Sequence, residues 1–236
     1  MIKRAGKSVK QLVTRDSDIR RVLLAALGRE YCDPEHDLIV EEFGCNSARV
    51  DIAVINGSLH AYEIKSDSDS LDRLPSQADA YQGVFQYVTL VCGRRLLEQA
   101  RCTIPDWWGL RRADYKLGEV TLKTIRTAKA NPSQDAIALA GMLWKTEALT
   151  CLRRHSQRIV TSRNTADEVV RAVAERIPLP ILTAEVLQAI KARGGSGFPR
   201  RRSQDDGSCT TESTVPANRS ADLSWLLSVP CQRHPD

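Results

Sequence analysis

The 236-residue sequence has no run of about 18 consecutive apolar residues, and its basic start, MIKRAGKSVKQL, lacks an apolar core. The first absence excludes a membrane-spanning helix, and the second argues against a secretory signal peptide. Seven cysteines are scattered without a CxxC pair, and only four histidines accompany them. The sequence therefore offers no zinc-binding spacing, and we expect a protein of the reducing cytoplasm with free thiols.

Charge is distributed unevenly along the chain, although the net charge is only +5. Residues 1–93 hold 11 basic and 14 acidic side chains, residues 94–163 hold 14 and 6, and residues 164–236 hold 9 of each. A basic segment that follows an acidic one is expected where a polyanion is held beside metal-binding carboxylates. The alternative is that these basic side chains lie on solvated helix faces.

Residues 49–81 contain the most informative pattern in the chain. Two runs of strand-forming residues, 50–55 and 59–65, flank the turn residues Asn56 and Gly57, which is typical of a β-hairpin. Acidic or basic side chains occur near the start of the first run and at the end of the second. A hairpin would bring these charged groups to one edge of a sheet.

The length of the turn decides which charged residues share a face. A two-residue turn would place Asp51 and Glu63 on opposite faces, whereas a three-residue loop at 56–58 pairs them directly. Lys65 lies two residues after Glu63 and therefore points the same way. We predict the three-residue loop, with Gly57 in the left-handed region. The same register predicts one buried layer made of Val50, Ile52, Val54, His60, Tyr62 and Ile64.

The remaining patterns predict an α/β fold in four parts. A flexible arm at 1–15 precedes an α/β domain at 16–130, a helical region at 131–193 and a disordered tail at 194–236. Further strands are predicted at 38–43, 87–92, 107–113 and 119–126, with the strand at 87–92 parallel to one before it. Helices are predicted at 16–31, around Pro75 to Tyr81, and at 94–102, 135–155, 165–177 and 183–192.

The charged cluster suits the hydrolysis of a phosphodiester bond. Asp51 and Glu63 supply hard oxygen ligands for Mg²⁺, which Mn²⁺ can replace, and the backbone carbonyl of Ile64 could add a third. Glu42 is a candidate for an additional or water-bridged ligand. Lys65 would lie beside the attacking water and stabilise negative charge on the phosphorus centre. The alternative for Asp51 is a structural ion pair at the strand edge.

Other side chains are predicted to complete the site. Gln77 and Tyr81 lie four residues apart on one helix face, where they would support Lys65 or contact the phosphate; ordinary helix packing is the alternative. Trp107 and Trp108 could stack on bases, but core packing is the stronger interpretation, and the helix around Trp144 is also predicted to be core. The candidate nucleic-acid-binding residues are Arg73, Arg94, Arg95, Arg111 and Arg112.

This arrangement resembles the PD-(D/E)XK nuclease superfamily. Asp51 matches the first motif acid, Glu63-Ile64-Lys65 the E-x-K element, and Gln77 with Tyr81 the Q-x-x-x-Y motif of its RecB-like branches. Val50 stands where the superfamily usually has proline. The longer pattern, including PDWWGL at Pro105 to Leu110 and ALAGMLWKTEAL at Ala138 to Leu149, is similar to a small, largely uncharacterised bacterial family assigned to it. The resemblance covers roughly residues 16–193.

The resemblance implies a restriction-endonuclease-like core, a mixed β-sheet flanked by helices, followed by a small helical C-terminal region. It implies a Mg²⁺-dependent nuclease with DNA as the expected substrate, although the residues themselves leave RNA open. Two alternatives are a nuclease-like fold that binds nucleic acid or a protein partner without cutting, and an acid-rich protein-interaction domain. The intact acids and lysine argue against the first of these alternatives.

Overall fold

The structure is a computed structural model that describes residues 13–45, 47–116, 118–156 and 163–195. One six-stranded sheet, in the spatial order β1 to β6, forms its centre. β1–β2, β2–β3 and β5–β6 are antiparallel pairs, whereas β3, β4 and β5 run parallel. The strands are β1 (Leu38–Cys45), β2 (Ala48–Ile55), β3 (Leu59–Lys65), β4 (Tyr87–Gly93), β5 (Gly109–Lys116) and β6 (Glu119–Arg126).

Helices cover both faces of this mixed sheet, so the α/β fold class is confirmed. On one face α1 packs Ile19, Leu23 and Leu27 into the smaller of two hydrophobic clusters. The other face carries the larger cluster, to which the later helices contribute. The helices are α1 (Asp16–Glu30), α2 (Leu74–Gln82), α3 (Leu97–Thr103), α4 (Ala136–Ala140), α5 (Lys145–His155), α6 (Ala166–Arg176) and α7 (Leu179–Ala192).

The predicted hairpin register is confirmed. Ile55 pairs with Leu59 across the loop, and Gly57 adopts a φ of 77°. The Asn56 amide donates to the Ser58 carbonyl oxygen at 3.1 Å. The loop therefore has three residues, and this length sets the face on which every following β3 side chain lies.

One member of the predicted buried layer is misplaced. Ile52 and Val54 lie in the α1-side cluster, but Val50 packs with Phe43 in the larger cluster on the other face. The regular alternation of the β1–β2 pair is interrupted at Glu42, a non-glycine residue with a φ of 54°. A residue with a left-handed backbone breaks the pleat. Beyond it, the side chains of both strands therefore point to the face opposite to the one that regular alternation predicts.

The predicted helix at 135–155 is two helices. α4 ends at Ala140 and α5 begins at Lys145, so the helical phase is not continuous between them. As a result Trp144, directly before α5, is 40% exposed, and its assignment to the core is wrong. The last predicted helix also begins earlier than expected, at Leu179, with a proline in its first turn, a position where proline is tolerated.

One residue of the predicted flexible arm contacts a distant part of the chain. Thr14, assigned to the flexible arm, is buried, and its amide and hydroxyl donate to Asp67 Oδ2 at 3.0 and 2.9 Å. Residues 1–12 of that arm, and residues 196–236 of the predicted tail, lie outside the described residues. In the part of the chain that the structure describes, every helix is too short or too polar to cross a bilayer.

The cysteines agree with the expectation of free thiols at four positions. Cys45, Cys92 and Cys151 are buried free thiols, and Cys102 is an exposed one.

The hairpin loop gives a first testable prediction. Replacing Gly57 with alanine should lower the free energy of unfolding by about 1 kcal/mol, because a side chain disfavours the left-handed backbone. No atom lies within 4 Å of the position that the new Cβ would take, so the loss reflects the backbone alone. Urea denaturation measures it. Gly57→Asn should lose less, since asparagine tolerates this conformation, and equal stability of Gly57→Ala and the wild type would contradict the argument.

Candidate active site

Asp51 occupies the point where the β2–β3 ladder stops. The last cross-strand pair joins Ile52 to Tyr62, and the Ile64 amide donates to Asp51 Oδ2 at 2.7 Å. A side-chain carboxylate therefore takes the place of a backbone acceptor. The amide and carbonyl of one strand residue point to the same side, so the Ile64 carbonyl also points towards the β2 side at this position.

The Glu63 carboxylate lies at the centre of the site and contacts three donors. Lys65 Nζ and Gln77 Nε2 each lie 2.6 Å from its Oε1 atom. The Tyr81 hydroxyl lies 2.8 Å from Oε2 and 2.9 Å from the backbone oxygen of Arg49. β3 and α2 thus hold one carboxylate in a fixed orientation, and the predicted grouping of these side chains is observed.

Burial makes these contacts strong. Glu63 and Lys65 are 2% and 7% exposed, and hydrogen bonds between ionised groups are stronger away from water. The Oε1 atom of Gln77 is buried and has no hydrogen-bond partner. A buried acceptor without a donor is costly, and it marks a place where a water or substrate group could donate.

The pKa of Glu63 reflects its burial and its two charged neighbours. Burial raises the pKa of Glu63, the Asp51 carboxylate raises it further, and the Lys65 ammonium group opposes both effects. Burial and the Glu63 carboxylate together raise the pKa of Tyr81, so its hydroxyl stays protonated and can donate. A buried carboxylate whose charge is disfavoured by a second carboxylate marks a place that gains from a cation.

The titration of Glu63 is the second prediction. Asp51→Asn should lower the pKa of Glu63 and Lys65→Met should raise it, because the first change removes a negative charge and the second a positive one. In the wild type the folded pKa is raised, so the contribution of Glu63 to stability is lost as pH rises through that value. Carboxyl NMR titration measures each pKa. An unchanged value in Asp51→Asn would show that the two acids do not interact.

Arg20 is the residue that the sequence analysis missed. From α1 its Nη2 atom lies 2.9 Å from Asp51 Oδ1, and Nη1 donates to the Asp51 backbone oxygen at 3.2 Å. The guanidinium group also reaches three more carboxylates, those of Glu42 at 3.1 Å, Asp16 at 3.3 Å and Glu41 at 3.7 Å. The spacing of Asp16 and Arg20 indicates a helical ion pair, but nothing in the sequence links that pair to β2.

Glu42, the predicted additional ligand, lies between Glu41 and Phe43, whose partners Ile52 and Val50 flank Asp51 on β2. Its carboxylate contacts Arg20 and also Arg49, whose Nε atom is 2.8 Å from Oε2. The positive φ of 54° at Glu42 is unfavourable for a residue with a side chain, and such strain often accompanies functional sites. The structure therefore places Glu42 beside Asp51 but pairs it with arginines.

The five predicted nucleic-acid-binding arginines do not form one surface. Arg73 precedes α2, while Arg94 and Arg95 begin a 3₁₀ turn at the end of β4. Arg112 lies in register with Cys92, which is itself paired with Lys65, so these three side chains share the face of the site. Arg111 points to the opposite face, over the Tyr62 ring at 5.5 Å. Arg111 and Arg112 lie on opposite faces because neighbouring strand residues alternate faces, and nucleic-acid binding by the five arginines stays a prediction.

Arg112 is itself paired within its strand. Its Nε and Nη2 atoms lie 2.9 and 2.7 Å from Asp114 Oδ2. The tryptophans behave as the core interpretation predicted, because Trp107 and Trp108 are 9% and 0% exposed. Base stacking on either residue is therefore not available in this structure.

The donor set fits a magnesium ion that keeps most of its water. Two carboxylates at adjacent positions and a main-chain carbonyl on the same side are oxygen ligands of the kind that Mg²⁺ uses. The partnerless Gln77 oxygen could accept a hydrogen bond from water at the site. Within the described residues no group of three or more His, Cys, Asp or Glu side chains is arranged to hold a metal. The fit therefore depends on water ligands.

Together, the mixed sheet and this buried acid–lysine cluster define an α/β protein with a candidate site at the carboxyl end of β3. A profile of the family described as bacteriophage P4 protein cII matches residues 10–198, and the chain belongs to this family. Protein cII of Enterobacteria phage P4 is 27% identical over 180 residues, which cover 76% of this chain and 67% of the phage protein.

One solved structure was also found to be similar. It is the SPO1766 protein of unknown function from Silicibacter pomeroyi, which is 16% identical. The match covers 74% of this chain and 93% of that protein, with a TM-score of 0.32.

Proposed function

We propose that this protein is a metal-dependent nuclease that hydrolyses phosphodiester bonds in DNA through Asp51, Glu63 and Lys65. The observation that supports the proposal is the Glu63 carboxylate, which is buried beside Asp51 and held by Lys65, Gln77 and Tyr81. A structural ion pair needs one partner, whereas three donors on one carboxylate fix its direction. A carboxylate that binds a metal ion or takes part in catalysis needs a fixed orientation.

Each side chain has a role that follows from its contacts. Asp51 and Glu63 would hold the ion, with the Ile64 carbonyl oxygen as a third ligand. When bound, the ion would supply Lewis-acid polarisation of the phosphate and a water of lowered pKa. Lys65, whose Nζ atom is 2.6 Å from Glu63, would stabilise the negative charge that develops on the phosphate.

Gln77 and Tyr81, both on α2, would orient the other groups of the site. Gln77 donates to Glu63 through its amide nitrogen, and its free Oε1 atom would accept a hydrogen bond from the attacking water. Tyr81 bridges Glu63 and the backbone of β2, so it would keep the two acid-bearing strands at a fixed separation. Neither residue needs to change its protonation state in this scheme.

A second candidate function is nucleic-acid or protein binding without cleavage. The ion pair between Arg20 and Asp51 favours it, because a carboxylate that already has a cation partner can serve a structural role. Asp51 Oδ2 is also occupied, by the Ile64 amide. Each carboxylate oxygen can still accept a second interaction, so the pairing does not remove Asp51 from the ligand set.

A cleavage assay tests the proposal. Purified protein is incubated with linear, circular and single-stranded DNA, and with RNA, in the presence of Mn²⁺, Mg²⁺ or EDTA. We expect cleavage of DNA that needs either metal ion and disappears in EDTA. An Asp51→Asn/Glu63→Gln protein purified in parallel reveals contaminating nucleases. Binding of DNA without cleavage under either metal would reject the nuclease and support the binding function.

A further inference from the structure

Arg20 is the most highly connected charged side chain near the candidate site. Its guanidinium contacts the carboxylates of Asp51, Glu42, Asp16 and Glu41 at 2.9 to 3.7 Å. The side chain is 18% exposed, so solvent screens these interactions only in part. Arg20 thus carries a positive charge directly against a carboxylate that the proposed function assigns to a metal ion.

The charge balance around Arg20 is close to what one divalent ion would neutralise. The connected carboxylates are Asp16, Glu41, Glu42, Asp51 and Glu63, and the connected cations are Arg20, Arg49 and Lys65. Five acids and three cations leave a formal charge of −2. Without Arg20 the same group would carry −3, and carboxylates that now share one guanidinium would repel each other.

Geometry adds a second effect. Arg20 binds Oδ1 of Asp51 while the Ile64 amide binds Oδ2, so the carboxylate cannot rotate freely. Each oxygen keeps one lone pair. The Asp51 carboxylate is therefore oriented for a ligand but lies beside a competing positive charge.

We propose that Arg20 is a positioning residue that acts through Asp51 as the built-in counter-cation of this site, holding the carboxylates together without metal and weakening the binding of a divalent ion. The inference rests on the proposed function, because it requires a cation site at Asp51 and Glu63. A residue that only supported the fold would weaken metal binding when removed. Removal of a counter-cation would strengthen metal binding, and this difference in direction separates the two roles.

The test measures Mn²⁺ binding to the full chain by isothermal titration calorimetry and by the electron paramagnetic resonance signal of free Mn²⁺. Arg20→Gln should bind Mn²⁺ about tenfold more tightly than the wild type, because a neighbouring positive charge is lost. Arg20→Lys keeps the positive charge and should stay within about threefold of the wild type. Arg21→Gln is the matched control, because Arg21 is exposed on the same helix, and it should not change the affinity.

A second variant, which should weaken Mn²⁺ binding, covers the case in which Arg20→Gln does not fold. Glu41, 39% exposed, contacts Arg20 at 3.7 Å, and Glu41→Gln should bind Mn²⁺ severalfold more weakly because Arg20 is then less neutralised. Thermal unfolding gives an independent readout. Metal-free Arg20→Gln should melt at a lower temperature than the wild type, and Mn²⁺ should raise its melting temperature by more.

The outcomes separate this inference from the nuclease proposal. Equal or weaker Mn²⁺ binding by folded Arg20→Gln, while wild-type protein still cleaves DNA, overturns the role of Arg20 and leaves the nuclease intact. If Arg20→Gln is unfolded, unchanged or tighter binding by Glu41→Gln overturns the role of Arg20 in the same way. Absence of Mn²⁺ binding in the wild type and all variants overturns both. Tighter binding by Arg20→Gln, with no metal-dependent cleavage by the wild type, supports the counter-cation and rejects the nuclease.

Discussion

Replacing Lys65 with methionine should reduce Mn²⁺-dependent DNA cleavage by about 10² to 10³-fold, the usual cost of removing one group that stabilises transition-state charge. Methionine fills a similar volume, so the buried position, 7% exposed in the wild type, stays occupied. What is lost is the ammonium group 2.6 Å from Glu63. The loss should appear in the rate constant at saturating metal, measured in single turnover.

The control for this change is Lys129→Met, which removes the same charge from an exposed position after β6. It should leave the cleavage rate within about twofold, as expected for a surface substitution. Melting curves of both variants show whether the fold is retained. A Lys65→Met protein that cleaves at the wild-type rate would exclude Lys65 from the chemistry.

Replacing Trp108 with alanine should lower the free energy of unfolding by about 3–5 kcal/mol, the usual cost of deleting a large buried aromatic side chain. Trp108 is fully buried and stacks on Tyr81 with ring centroids 6.1 Å apart. The cavity would lie next to the residue that bridges Glu63 and β2. Urea denaturation with a comparison of midpoints and slopes measures the effect.

Trp144→Ala is the matched control because it removes the same side chain from a position that is 40% exposed. Trp144 contacts Arg193, whose guanidinium carbon lies 5.0 Å from the ring. Its loss should cost about 1 kcal/mol or less, the usual range for an exposed cation–π contact. Similar losses for the two tryptophans would mean that their burial is misassigned.

The hairpin shows how far local chemistry predicts a candidate site. Gly57 permits the left-handed backbone of a three-residue loop, and this loop length sets the register whose last pair, Ile52 with Tyr62, lies directly before Asp51 and Glu63. Lys65 follows from the two-residue period of a strand. Gln77 and Tyr81 follow from the helical period, which brings both onto Glu63.

The errors have a common physical cause. Val50 changed face because Glu42 interrupts the β1–β2 pair, and Trp144 became exposed because the helix before it stops at Ala140. Both errors come from extending a period across a point where the backbone departs from it. The hydrophobic pattern does not mark such points, because it records which residues are apolar and not where the chain bends.

The sequence by itself determined the α/β class, the hairpin register and the grouping of Asp51, Glu63, Lys65, Gln77 and Tyr81, because these depend on turn length and on the fixed periods of strands and helices. Only the tertiary structure decided that Arg20 contacts Asp51, since α1 and β2 are 31 residues apart at this contact. It also decided that Arg111 lies across the sheet from Arg112 in contact with Tyr62. Contacts between distant segments depend on how whole elements pack, and local sequence carries little information about that packing.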